Sequence, residues 1–263
     1  METIINMKAK KSLGQNFLID EEVTKKIVSS IGVNKNDLII EIGPGMGALT
    51  KLLKNYNTKI ICYEIDTDLK PYLNKLEDDN TKIIYKDILE SNISDDMEDI
   101  KFDKLYIIGN LPYYITTPII KKIISSKIDV QEMLFMVQDE VANRWISKPG
   151  NSEYGSITLY LTHFYNIEKL FKVYKKSFDP VPKVDSAVIK FSKRSDIPNV
   201  DEKKYFKLIG DSFKMKRKKL KNNLVGYDFE KIEKILERNG LSKDARAEEI
   251  PEKVFIEITR ELL

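Results

Sequence analysis

Short, unbroken apolar runs alternate with amphipathic stretches through the first two-thirds of the chain. Asp37-Leu38-Ile39-Ile40-Glu41-Ile42 runs into Gly43, and residues 59–65, 82–85, 104–108 and 133–137 repeat the pattern. Runs that are apolar on successive positions suit parallel strands covered on both faces. Helical spacing predicts a helix over 47–56 and another over 118–125, the latter with Pro118 near its first turn. Strand–helix alternation of this kind predicts a parallel sheet between helix layers.

The alternation stops near residue 165. Residues 171–177 and 186–192 both read as strands, with Asp179-Pro180-Val181-Pro182 between them and no room for a helix, which predicts an antiparallel pair. From Asp201 onward the apolar spacing is helical, at Ile232, Ile235 and Leu236 and again at Phe255, Ile258 and Leu262. The expected organisation is an α/β domain over 1–195 and a small all-helical domain over 196–263.

Composition narrows the chemistry. The chain has 263 residues, 44 Lys plus Arg against 41 Asp plus Glu, and a net charge of +3, too small to imply nucleic acid by itself. Hydrophobic residues at 42% suit a packed domain. One cysteine, Cys62, excludes an intrachain disulfide and a thiolate metal cluster, and its apolar neighbours predict a buried thiol. One histidine, His163, excludes a multi-histidine zinc site and reads as a packing residue. No metal is expected. No apolar run approaches membrane length and no signal peptide is visible, so a cytoplasmic protein without membrane contact is expected.

Glu41-Ile42-Gly43-Pro44-Gly45-Met46-Gly47 joins the first buried strand to a helix. Glycines here let the backbone turn and approach a ligand. The spacing is neither the Gly-x-Gly-x-x-Gly dinucleotide fingerprint nor a P-loop. Glu64 ends the next strand, about 20 residues on, where a carboxylate can accept from two ribose hydroxyls. Asp87 follows the third strand and can accept from an adenine amino group. Gly43, Gly45, Glu64, Ile65, Asp87 and Ile88 form the expected cofactor set. They point to a nucleoside and leave S-adenosylmethionine and a nicotinamide cofactor both open.

Asn110-Leu111-Pro112-Tyr113 follows the fourth strand and narrows the choice. An exocyclic purine amine is a poor nucleophile because its lone pair is delocalised into the ring. The Asn110 side-chain oxygen and a loop carbonyl, that of Leu111, can bind its two hydrogens and favour a pyramidal nitrogen. Tyr113 can stack on the base, a contact worth about 1–3 kcal/mol. Methyl transfer to such an amine gains from positioning and electrostatics.

With these motifs in order, the sequence resembles the KsgA/RsmA family of ribosomal RNA adenine dimethyltransferases, from Lys10 to about Ala247. Lys11-Ser12-Leu13-Gly14-Gln15-Asn16-Phe17-Leu18 is similar to that family's N-terminal cofactor motif. The resemblance implies a Rossmann-like class I S-adenosylmethionine-dependent methyltransferase fold. It also implies cofactor contacts from Asn16, Leu18, Gly43, Glu64, Asp87 and Asn110. Phe178-Asp179-Pro180-Val181-Pro182-Lys183-Val184-Asp185-Ser186 is similar to the family's second base-holding segment, which implies that Phe178 stacks on the adenine opposite Tyr113. Tyr114 reads as a packing residue. The implied reaction places two methyl groups on each of two adjacent adenosines near the 3′ end of small-subunit (16S) rRNA, in a pre-30S or 30S particle, with a role in small-subunit biogenesis.

Lys214-Met215-Lys216-Arg217-Lys218-Lys219-Leu220-Lys221 places six basic residues in eight. Lys214, Arg217, Lys218 and Lys221 fall at helical spacing and are expected to track RNA phosphates from one helix face, with Lys8, Lys10 and Lys11 adding to them. The alternatives are an oxidoreductase using the same glycine loop, a non-catalytic ribosome assembly factor, and an adenine methyltransferase acting on DNA or on large-subunit rRNA in the manner of macrolide-resistance enzymes. No heptad pattern is visible, and a monomer is expected.

Overall fold

The computed structural model describes residues 9–262. Lys8 and the side chain of Lys11, both counted among the expected RNA contacts, lie outside the described residues. Two compact units are present. One runs through Asp139 and takes up Lys169–Ser192; the other comprises Glu140–Glu168 and the chain from Lys193.

The first unit opens with β1 (Phe17–Leu18) and α1 (Glu21–Ser29). Asp20 caps α1, one carboxylate oxygen accepting from Val23 N–H at 3.2 Å and the other from Ser177 Oγ at 2.8 Å. Then come β2 (Leu38–Ile42), α2 (Ala48–Leu53), β3 (Lys59–Glu64), α3 (Lys70–Leu73), β4 (Thr81–Tyr85), α4 (Ile93–Asp96), β5 (Leu105–Asn110), α5 (Thr116–Ser125) and β6 (Val130–Gln138). All five strands expected from the apolar runs are present. Every residue of β2 is buried, Glu41 included, as a strand packed on both faces requires.

Beyond β6 lie α6 (Asp139–Trp145), α7 (Ser156–Phe164), β7 (Tyr165–Val173), β8 (Phe178–Asp179) and β9 (Ser186–Lys193). The large sheet has the order β4-β3-β2-β5-β6-β9-β7. Pairing is parallel from β4 through β6, and β9 runs antiparallel to β6. The strand expected at 171–177 starts earlier, at Tyr165, and Lys175–Ser177 is a 3₁₀ turn leading into β8. β8 pairs antiparallel with β1, Leu18 opposite Phe178.

Chain order moves outward from β2 to β3 and β4, then returns to place β5 on the other side of β2. Ligands bind at the carboxyl ends of strands at such a switch point. Gly109 lets β5 approach: a Cβ there would lie 2.6 Å from the Ile42 carbonyl oxygen.

The second unit has its own core. α8 (Glu202–Ser212), α9 (Leu220–Asn223), α10 (Phe229–Arg238) and α11 (Glu252–Leu262) follow one another, α11 packing on α8 and α10, and α7 packing on α8. Asp201 and Asp228 cap α8 and α10 by accepting from Lys204 and Lys231 N–H. Ile232, Ile235, Leu236, Phe255 and Ile258 are buried, as their spacing predicts. The sequence division at 195/196 assigns 140–168 to the α/β domain, whereas these residues belong to the helical unit. Tyr154 and Leu159 are the reason, since they share a core with Tyr205, Leu208 and Phe255. His163 is fully buried among Phe164, Tyr205 and Phe206, and Cys62 is fully buried in β3.

Candidate active site

A cavity opens at the carboxyl ends of β2, β3, β4 and β5. Its walls include Gly43, Gly45, Glu64, Ile65, Asp87 and Ile88, which the sequence assigns to one cofactor, and Asn110, Leu111, Pro112 and Tyr113, which it assigns to catalysis. The fold brings them together because each follows a strand whose neighbour is fixed by the sheet register.

Gly45 has φ +58°, and a Cβ there would meet the Phe17 ring at 3.1 Å. A side chain at this position would therefore be strained and would push on the N-terminal segment. The Gly45 N–H donates to Glu64 Oε2 at 3.1 Å, and Asp66 N–H donates to Glu64 Oε1 at 2.9 Å. Burial pushes the Glu64 carboxyl above its ordinary value, while these two backbone donors oppose the shift. These donors do not fill the roughly four lone-pair sites of a carboxylate, so acceptor capacity remains. Asp87 Oδ1 accepts from Leu89 N–H at 2.9 Å in a turn that presents the carboxylate at the end of β4. Ile65 is half-exposed at the cavity and Ile88 is buried.

The opposite wall is the N-terminal segment. Leu13, Gly14, Gln15, Asn16, Phe17 and Leu18 all line the cavity. Asn16 Nδ2 donates to the Gly14 carbonyl at 3.2 Å, and Leu18 is buried. Asn110 Nδ2 donates to the Asn16 carbonyl at 3.1 Å. Pro112 carbonyl oxygen accepts from Ile115 N–H and Thr116 Oγ1, each at 3.1 Å. Tyr113 is half-buried, with its hydroxyl 2.8 Å from Ser186 Oγ, and burial raises its phenol above the ordinary value. Tyr114 packs its ring against Gly14 and remains exposed.

Phe178 differs from its sequence expectation. Its ring is 1% exposed and packs in the core with Leu18, outside the cavity lining. The β1–β8 pairing is the cause, since it lays the N-terminal segment over the start of the Phe178 segment. Sequence reasoning missed Asp66, gave Gln15 and Ser186 no individual role, and placed Lys10 among the RNA contacts, whereas its ammonium is engaged by Asp66 and Asp68. Asp66 follows Glu64 by two positions and begins a capped turn, a signal that was available; Ser186 lies inside a motif already singled out.

The basic run also differs. α8 ends at Ser212, and residues 213–217 form a turn, so Lys214, Arg217, Lys218 and Lys221 do not share a helix face. Asn223 fixes the turn. Its Oδ1 accepts from Met215 N–H at 2.8 Å and its Nδ2 donates at 3.3 Å to the Met215 carbonyl, which also accepts from Lys218 N–H at 2.9 Å. Lys214, Arg217, Lys218 and Lys221 are all exposed, and Lys214 pairs with Asp211 at 2.7 Å.

Glycine loop after β2, acid after β3, acid after β4 and an amide after β5, on this strand order, define a class I methyltransferase. Two solved structures share that fold. A Plasmodium falciparum dimethyladenosine transferase superposes with a TM-score of 0.79 at 24% identity, covering 93% of this chain and 96% of its own. The 23S rRNA methyltransferase ErmE gives 0.72 at 22% identity, covering 94% and 99%. The family model for ribosomal RNA adenine dimethylase matches residues 6–262, and the chain belongs to that family as an rRNA adenine dimethyltransferase. A Mycoplasma mobile ribosomal RNA small subunit methyltransferase A is 41% identical over 248 residues, 94% of this chain and 95% of that relative.

Proposed function

We propose that this enzyme uses S-adenosylmethionine to dimethylate the exocyclic amines of two adjacent adenosines near the 3′ end of small-subunit rRNA, in a pre-30S or 30S particle, as a step of subunit biogenesis. The observation that carries the reading is the Asn110 amide, held at 3.1 Å by the Asn16 carbonyl beside the strand-end acids. The residues present fit the cofactor. Glu64 retains acceptor capacity for ribose hydroxyls, Asp87 supplies a carboxylate for an adenine amino group, Ile65 and Ile88 offer apolar surface, and the loop at Gly43 and Gly45 presents no side chain. Asn16 and Leu18 close the opposite side. When bound, the cofactor supplies an electrophilic methyl group.

A backbone carbonyl only accepts, so the end of the Asn110 amide facing Asn16 is the NH₂. Oδ1 is thereby turned away from Asn16 and serves as one acceptor for the target amine. Pro112 carbonyl is already engaged twice, which leaves the Leu111 carbonyl as the second. Two acceptors on the two N–H groups draw the nitrogen out of conjugation and aim its lone pair. Tyr113, anchored by Ser186, stacks on the base, and Phe178 stacks from the other side once its ring is uncovered. Lys214, Arg217, Lys218 and Lys221 hold phosphates from an exposed turn rather than a helix face.

The test is transfer of labelled methyl from S-adenosylmethionine to unmethylated small subunits, with large-subunit rRNA and DNA as competitors, and digestion of the products. Dimethyladenosine confined to the small subunit supports the reading. Label in large-subunit rRNA or DNA moves the substrate assignment, and bound cofactor without label on any of them overturns it.

A further inference from the structure

We propose that Asp66 is a positioning residue that fastens the N-terminal segment across the cofactor cavity and so controls cofactor retention without touching the cofactor. This rests on the reading of the cavity as the S-adenosylmethionine site. The Asp66 side chain is fully buried, and each of its oxygens takes a donor from the segment, Oδ1 also capping its own turn by accepting from Asp68 N–H at 3.1 Å. Oδ1 receives the Lys10 ammonium, and Oδ2 accepts from Gln15 Nε2 at 2.7 Å. Lys10 also pairs with Asp68 at 2.6 Å, and its backbone N–H donates to Gln15 Oε1 at 2.8 Å, so the two fastening residues brace each other. Burial pushes the Asp66 carboxyl up, and the Lys10 and Gln15 contacts outweigh it, leaving the group below its ordinary value.

Neither Asp66 nor Lys10 lines the cavity, whereas Leu13 through Leu18 do. The segment therefore spans the cavity between two anchors: Asp66 at one end and the β1–β8 pairing at the other. The Asn16 carbonyl, which orients Asn110, sits between them. Asp66 also donates its backbone N–H to Glu64 Oε1, tying the fastening point to the acid assigned to the ribose. Losing one anchor leaves a segment that is held at only one end and must be ordered anew with every cofactor bound.

The experiment is calorimetric titration of S-adenosylmethionine and S-adenosylhomocysteine into the full chain, wild type and variant, beside steady-state methylation. Removing charge-assisted bonds of this kind predicts that Asp66→Asn weakens both ligands by about tenfold. KM for the cofactor rises in parallel, while kcat at saturating cofactor and KM for RNA stay within about twofold, the signature of lost uniform binding. Lys10→Met, a change outside the cavity, weakens binding by about threefold, and the double variant is no weaker than Asp66→Asn, because the residues act as one unit. Because Lys10→Met leaves the turn after β3 intact, it decides the matter even where Asp66→Asn folds poorly. Unchanged ligand affinity in a folded Lys10→Met variant, or a fall in kcat with cofactor KM unmoved, overturns the proposal. A wild-type chain that binds neither ligand overturns the cofactor reading, and the proposal falls with it.

Discussion

The side chain of Asn110 is oriented by the main chain of Asn16: Nδ2 donates to that carbonyl at 3.1 Å across 94 residues of sequence. The amide to which the proposed reaction assigns the chemistry is thus set by the segment that lines the opposite wall of the cavity.

On the proposed reaction, Asn110→Ala removes one of two acceptors for the target amine. The expected loss in kcat is about 10²–10³-fold, the usual cost of one preorganised hydrogen-bond partner. Single-turnover methylation measures it, with circular dichroism showing an unchanged fold. Asn110→Asp tests orientation separately. Both its oxygens repel the Asn16 carbonyl, so cofactor affinity falls further than in the alanine variant, which only loses that bond.

Glu41 makes stability depend on pH. It is fully buried in β2, accepting from Thr50 Oγ1 at 2.7 Å, with the Cys62 thiol 3.7 Å away. Burial lifts its carboxyl from 4.5 to about 7. Between those values the folded chain keeps a proton that the unfolded chain has released, so stability falls as pH rises through the window. Above both values the loss levels off at about 3 kcal/mol. Glu41→Gln keeps an acceptor for Thr50 and has no charge to bury. Denaturant titrations of the ligand-free protein at pH 5 and pH 8 should show the variant gaining on wild type at the higher pH. Parallel behaviour at both pH values would show that Glu41 titrates normally.

Phe178 packs in the core, and the proposed reaction also asks its ring to stack on the base, so the two can be separated by substitution. Phe178→Ala leaves a cavity in the core and should cost about 3–5 kcal/mol of stability. Phe178→Leu keeps most of the packing but not the ring face, and should lower methylation about tenfold or more with a small change in melting temperature. Equal activity of Phe178→Leu and wild type would assign the ring to packing alone.

Replacing Arg217, Lys218 and Lys221 with Gln should flatten the salt dependence of RNA binding by about 0.7 in log–log slope per phosphate contact on single strands. Lys214→Gln should matter less, because Asp211 already pairs with it. Filter binding at several salt concentrations reads both, and cofactor affinity serves as the control.

The strand-end half of the site was legible because each acid or amide follows an unbroken apolar run, and a buried parallel sheet aligns the ends of such runs. Glu64, Asp87 and Asn110 line the cavity for that reason. Lys10 and Gln15 were not assigned to Asp66 because no local pattern reports a partner more than 50 residues away. Nor did the basic run show its turn: its spacing is compatible with a helix, and the residue that bends it, Asn223, lies eight positions on from Met215. Residues 140–168 carry no mark of the unit they join, since their core partners are Tyr205, Leu208 and Phe255.

The pairing of β1 with β8 has a consequence for synthesis. Asp20 and Ser177, joined beside that pairing, are 157 residues apart. Domains form progressively as the chain leaves the ribosome, and contacts this distant in sequence close late. The segment around β1 therefore waits for the segment around Phe178 before it can settle. The parallel strands β2 to β5 can assemble earlier, so a nascent chain acquires the parallel part of its sheet well before the cavity at its edge is enclosed.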